Sequence, residues 1–201
     1  MYVTECPAHD IATCHNPSCS RPGEFTCLDC DDGSCLTCRT CFVLRHAVLP
    51  LHRVRRWTGW HFEKESLANM GHIIHLNHDG HECPHEKSGS GEQNLTVMDT
   101  NGLHNVRIGW CRCASAPQHV NQLLSVEMVP ATVVRPETAF TFRVLRLFHM
   151  LTSVARVTPW EFCGTMMRLT ENVKIEATRV CLFLPLLHPA VLILAGCVPP
   201  I

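Results

Sequence analysis

Paired cysteines and histidines are the residues in this chain whose types and spacing could do chemistry, and that chemistry is metal binding. The pairs run Cys14-x4-Cys19, Cys27-x2-Cys30, Cys35-x2-Cys38-x2-Cys41 and then His46-x5-His52. Zinc takes four thiolate or imidazole donors in a tetrahedron, and two donors a few residues apart sit on one knuckle of backbone. Four successive pairs therefore serve two ions. In small modules such pairs alternate, so Cys14, Cys19, Cys38 and Cys41 are expected to hold one zinc, and Cys27, Cys30, His46 and His52 a second. The spacing leaves alternatives, because Cys35 pairs with Cys38 as well as Cys41 does, and Cys6 or His15 could stand in for Cys14.

A looser constellation follows in His78, Cys83, Cys111 and Cys113, with His104 nearby in sequence. Only tertiary structure can gather these residues, and isolated His and Cys are as often packed as ligated. A third zinc is weighed evenly against packing, while His72, His75, His81 and His85 read as surface residues. Catalytic motifs are lacking: there is no Gly-rich phosphate loop, no His-Glu-x-x-His helix and no nucleophile elbow. A zinc hydrolase leaves one coordination position open beside a glutamate, and Glu82 next to Cys83 is the one weak match. The expectation is a binding module with no catalytic residues and no small-molecule substrate.

Composition supports metal over disulfides. The chain carries 14 Cys and 14 His in 201 residues, and a disulfide framework has no use for the interleaved imidazoles. The opening residues, with Glu5 and Asp10, show neither the basic nor the apolar region of a secretory signal, so reduced thiols in the cytosol or nucleus are expected. A formal net charge of -1 argues against coating nucleic acid through bulk charge. Any DNA contact needs a local patch, and the candidate is Arg45, Arg53, Arg55 and Arg56 beside Trp57; the plainer reading is a solvated run of charge.

The elements that must position these residues change character along the chain. From Cys14 to His52 apolar periodicity is sparse, so metal must substitute for a core. Ser66 to Gly71 reads as a helical turn stopped by glycine, and His85 to Gln93 as a flexible loop. Leu95 to Met98 and Leu103 to Trp110 form a hairpin about Asp99-Thr100-Asn101-Gly102, where Asn-Gly would supply positive φ. Three helices are expected next. The first carries Val120, Leu123, Leu124 and Met128 and ends at Pro130; the second opens at Pro136 with a stripe of Phe140, Val144, Leu147, Phe148 and Leu151. The third starts at the capping box Thr158-Pro159-Trp160-Glu161 and runs towards Thr170. Val180 to Val198 is nearly all apolar, but Pro185 and Pro189 and the missing anchors argue against a membrane span, leaving translated non-coding sequence as the favoured account.

Cys27-Leu-Asp-Cys30, Cys38-Arg-Thr-Cys41 with His46, and Leu49-Pro-Leu-His52-Arg-Val-Arg-Arg-Trp57 resemble the cysteine cluster associated with KDZ (Kyakuja, Dileera and Zisupton) transposases of fungi. Asn77-His78-Asp-Gly80-His-Glu-Cys83-Pro84, Asn101-Gly102-Leu103-His104 and Trp110-Cys111-Arg-Cys113 continue the resemblance, as do Gln122-Leu-Leu124, Pro136 to Phe142 and Arg168 to Asn172. It covers roughly Cys14 to Val173. Beyond that point family members continue towards an RNase H-like nuclease, so the resemblance implies a truncated copy without the catalytic domain.

The resulting expectation is an α+β chain of zinc-stapled knuckles and a β-hairpin followed by about three helices, with an atypical hydrophobic C-terminal tail. Residues 1–13 are an extension, 14–173 the cysteine-cluster domain and 174–201 the tail. Within the domain, 14–56 is the paired-ligand region, 72–117 the second cluster with its hairpin, and 118–173 the helical part. The implied role is binding transposon-end DNA or partner subunits in the nucleus. Alternatives are a protein-interaction or self-association module resembling a B-box, and a tail-anchored protein.

Overall fold

Short elements are what the cysteine-rich region can form, since few apolar residues there recur at any regular period. The computed structural model describes residues 13–30, 35–85 and 92–170, and the chain divides into two compact units, Met1–Ile73 and Ile74–Ile201. The first unit contains β1 (Phe25–Cys27), α1 (Arg39–Arg45), β2 (Val54–Trp57) and β3 (Phe62–Glu65), with the strands in an antiparallel sheet of order β1-β2-β3. The register sets Phe25 opposite Arg56, Cys27 opposite Val54, and Thr26, Arg55 and Lys64 in one row across the sheet. Strand alternation then turns Phe25, Cys27 and Val54 to one face, where they pack with Phe42 of α1, Leu67 and Met70. That cluster is small for a unit of this length, and one of its members is a thiol from the ligand pairs.

The sequence reading places no strand between Arg53 and Glu65, because this segment lacks an Asn-Gly turn and its alternating positions are charged instead of apolar. The turn uses other chemistry. The Thr58 hydroxyl donates to the His61 carbonyl at 2.9 Å and accepts from the His61 N–H at 3.2 Å, while Gly59 takes φ 98°. Ser66 to Gly71 makes the expected turn, ending with Gly71 at φ 84°.

The second unit holds a five-stranded mixed sheet of β4 (Ile74–His75), β5 (Glu92–Asp99), β6 (Gly102–Gly109), β7 (Met128–Pro130) and β8 (Thr138–Thr141), in the order β4-β6-β5-β8-β7. Helices α2 (His119–Leu124), α3 (Phe142–Ala155) and α4 (Pro159–Thr170) follow the hairpin β5–β6. The fold is thus α+β. Asp99 pairs with Gly102 at the hairpin turn, and the positive φ falls on Gly102 at 130°, not on Asn101.

Two of the three expected helices have different bounds. Met128 does not end a helix: Glu127, at φ 58°, turns the chain out of α2, and Met128 begins β7. Pro136 does not open a helix either, because Thr138 to Phe140 pair in parallel with Thr96 to Met98, and sheet pairing overrides the helical spacing that Phe140 shares with Val144. The helix starts at Phe142, where the Thr141 side chain caps it by accepting from the Val144 N–H at 3.2 Å. From there Val144, Leu147, Phe148 and Leu151 form the expected apolar stripe and pack with Phe162, Cys163 and Met166 of α4. The capping box at α4 is present, with Thr158 N–H to Glu161 Oε2 at 2.9 Å and Glu161 N–H to Thr158 Oγ1 at 3.3 Å.

Among the described residues no helix is long and apolar enough to cross a membrane. The apolar tail from Val180 to Val198, Cys6, and residues 86–91 of the expected loop lie outside the described residues.

The end of α4 is tied to the hairpin turn, since Thr170 Oγ1 accepts the Leu103 N–H at 2.6 Å. A Cβ on Gly102 would meet that same oxygen at 2.7 Å, on a backbone φ that L side chains rarely adopt. Gly102→Ala is expected to cost about 1–3 kcal/mol, read as a lower urea midpoint with an unchanged slope.

Candidate metal centres

Among the described residues, three groups of four side chains bring their ligand atoms within 4.8 Å of one another: Cys14, Cys19, Cys38 and Cys41; Cys27, Cys30, His46 and His52; and His78, Cys83, Cys111 and Cys113. The distances inside them fit a single small ion. With metal bonds of about 2.3 Å to sulfur and about 2.0 Å to nitrogen, tetrahedron edges come to about 3.8 Å between sulfurs and about 3.5 Å between sulfur and nitrogen. Cys19 and Cys38 are 3.7 Å apart, as are Cys83 and Cys113. Cys30 lies 3.5 Å from His46 Nε2 and 3.4 Å from His52 Nδ1, and His78 Nε2 lies 3.2 Å from Cys111 and 3.4 Å from Cys113. A disulfide would need about 2.05 Å, and these thiols are free.

Local structure delivers the ligands. Cys14 and Cys19 flank a turn closed by Cys19 N–H to Asn16 C=O at 2.9 Å, and the Asn16 amide also donates to Cys41 Sγ at 3.4 Å. Cys38 is the N-cap of α1 and Cys41 lies in its first turn, while His46 is the C-cap of the same helix. Cys27 ends β1, and the Asp29 N–H points back at its sulfur at 3.4 Å. His46 Nδ1 bonds to the Phe42 carbonyl at 3.0 Å, so it carries the proton and leaves the Nε2 lone pair for a metal. The ring also stacks on Phe42 with centroids 4.1 Å apart.

In the second unit, Asn77, His78, Asp79 and Gly80 all have positive φ, a left-handed turn that presents His78 to the thiols. Cys111 and Cys113 follow β6. The buried Gln122 of α2 grips Cys111, accepting its N–H at 2.9 Å and donating to its carbonyl at 3.1 Å and to the Pro117 carbonyl at 2.9 Å.

A family model described as the CxC2-like cysteine cluster associated with KDZ transposases matches residues 67–174, just over half of the chain. The chain belongs to this family. The cysteine-cluster match contains the whole of the third quartet and α2 to α4, and it begins downstream of the first two quartets. No curated protein and no solved structure matches the chain.

The thiols of the three groups differ in acidity. The Arg21 backbone N–H, helped by its guanidinium, brings Cys19 down to about 6, and the Arg112 backbone N–H brings Cys83 to about 6. Burial pushes Cys27 up to about 12, and burial with the neighbouring Cys111 and Cys83 pushes Cys113 to about 11. Contacts with Cys111 and Cys83 raise His78 above the usual imidazole value.

Residues considered as alternatives sit elsewhere. Cys35 is half-buried and joins none of the three groups, His15 is exposed, and His104 bonds to Asn101 Oδ1 at 2.7 Å in the hairpin turn. His81 and His85 are exposed, whereas His72 and His75 are half-buried. The basic patch is divided. Arg53 forks onto Asp29 at 2.6 Å, Arg56 pairs with Glu24 at 3.3 Å, and Arg45 lies exposed on α1. Arg55 and Trp57 share the opposite sheet face from Arg56, together with Lys64 and Phe62, which sequence reasoning missed because it had no strands there. Gln122 was visible only as part of the family resemblance, since nothing in its neighbourhood marks it as a partner of Cys111.

Two outcomes follow from this geometry. Gln122→Leu leaves the Cys111 amide groups and the Pro117 carbonyl without their partner, and about 10–100-fold weaker metal binding at the third centre is expected in a chelator-competition titration. Cys27 holds its proton through the neutral range and must lose it to bind metal. Affinity at the second centre should therefore fall by about tenfold or more per pH unit on acidification, measured by the same titration between mildly alkaline and mildly acidic buffer.

Proposed function

We propose that the chain is a zinc-stapled module of a transposase-derived protein that binds DNA through the face of its β1-β2-β3 sheet that carries Arg55 and Lys64. The donor sets support zinc: four thiolates at the first centre, two thiolates with two imidazoles at the second, and three thiolates with one imidazole at the third. Each is a closed set of four protein ligands, the kind that structural zinc sites use and that leaves no coordination position for a substrate. On this reading the module has no catalytic role of its own, acts in the nucleus, and serves a reaction carried out elsewhere.

The observation that carries DNA binding is the pairing of Arg55 directly opposite Lys64. Like charges at facing positions repel across a sheet, and an anion laid along that row would meet both cations. Alternation sorts the charges further. The strand residues that share this face are Thr26, Arg55, Trp57, Phe62 and Lys64, none acidic, while Glu63 and Glu65 point to the other face with Arg56. A polyanion laid on the first face meets cations without a competing strand carboxylate.

A rival reading is self-association or a protein partner, favoured by Leu44 and Val48, which stay 72% and 84% exposed on and just after α1. Salt separates the two. Zinc-loaded protein should bind duplex or single-stranded DNA with an affinity that falls steeply with salt, and Arg55→Ala combined with Lys64→Ala should lower the logarithmic salt slope by about 2 while retaining the metal content of the parent. Unchanged affinity in that double variant would refute the sheet face, and salt-insensitive dimerisation without DNA binding would favour the protein-contact reading.

A further inference from the structure

The hairpin β2–β3 ends in an aromatic group, of which the strand pairing uses two members and leaves Trp60 at the tip. Trp57 and Phe62 form its last cross-strand pair, with ring centroids 4.9 Å apart at 56°. Thr58 and Gly59 make the turn itself, through the hydroxyl bonds to His61 and the positive φ. Trp60, at the tip, has no such task and is 90% exposed. An indole left in water gives the fold little, since its contribution to stability comes from burial.

We infer that this hairpin is a stacking site for unpaired bases, so that the nucleic acid taken by the sheet face is single-stranded. The inference rests on the DNA-binding reading above and specifies the class of strand. Two requirements of single-strand recognition are met by separate observations. Cations must track a phosphate backbone, and Arg55 and Lys64 supply them side by side on β2 and β3. Flat π surfaces must also be open to bases, and Trp60 offers an indole in solvent while Phe62 braces the half-buried Trp57. A duplex has its bases stacked on one another and would leave an exposed tryptophan idle. An unpaired strand, such as a frayed or nicked DNA end, has base faces to offer.

The test uses the full zinc-loaded chain with a fluorescently labelled oligodeoxynucleotide, presented single-stranded and as its duplex, and the variants Trp60→Ala and Trp60→Phe. Trp60 is a mild site to change because it packs so little. The expected result is tighter binding of the single strand, a loss of about tenfold for that strand in Trp60→Ala, retention of most of it in Trp60→Phe, and no change for the duplex. Equal or tighter duplex binding, or an unaltered single-strand affinity in Trp60→Ala, overturns this inference and leaves the DNA-binding reading standing. Binding of neither form overturns both.

Discussion

Helix α1 has seven residues, and both ligand quartets of the first unit depend on it. Cys38 and Cys41 stand at its start and His46 at its end, so the helix delivers donors to one quartet from one terminus and to the other from the opposite terminus. Its length sets the separation of the two centres, since each residue advances the chain by about 1.5 Å. The remaining donors come from either side: the turn of Cys14 and Cys19 with the first quartet, the end of β1 and His52 with the second. A metal bound at one centre would thus organise the helix that the other needs. Phe42 joins the systems, because it packs in the apolar cluster with Phe25 and Val54, accepts the His46 ring proton and stacks on that ring.

The second unit solves the same problem with a different balance of forces. Met98, Val129, Phe140, Leu145 and Phe162 give it an apolar core of its own, and the quartet of His78, Cys83, Cys111 and Cys113 stands by the end of β6, where the sheet has already set the chain's direction. Two features are spent on the quartet. Four consecutive residues take positive φ to present His78, a conformation that costs free energy everywhere except at Gly80. A buried glutamine is committed to the Cys111 backbone. In the first unit metal ligands stand in for a core, whereas in the second a core supports metal ligands.

What could be read from the sequence follows this division. Ligand pairs are local, and their alternation assigns Cys14, Cys19, Cys38 and Cys41 to one group and Cys27, Cys30, His46 and His52 to the other, the same groups that the structure gathers. The hairpin and the α4 capping box were legible for the same reason, each being written within a few residues. The misreadings that changed an element were non-local. Residues 138–141 became a strand because β5 offered a partner more than thirty residues earlier, and no spacing within 136–151 reports that. The strands β2 and β3 stayed hidden because their outward positions hold Arg55 and Lys64 where alternation is ordinarily recognised by apolar residues. The basic patch was therefore seen as a cluster in sequence, when strand alternation splits it between two faces.

Charge gives that split its weight. If the three quartets hold divalent zinc, their nine thiolates outweigh the three ions, and the loaded chain is three charges more negative than its formal -1. The four-thiolate centre alone would then carry two negative charges, which the neighbouring Arg21 guanidinium, bonded to Cys19, partly offsets. A protein of this net charge repels nucleic acid at long range, and only within about a Debye length, roughly 8–10 Å, does local arrangement take over. A face bearing Arg55 and Lys64, with the strand carboxylates turned away from it, is the kind of arrangement that can reverse the sign locally. The alternation of β2 and β3 is in that sense part of the electrostatics: slipping β3 by one residue would bring Glu63 and Glu65 onto the basic face and remove the distinction.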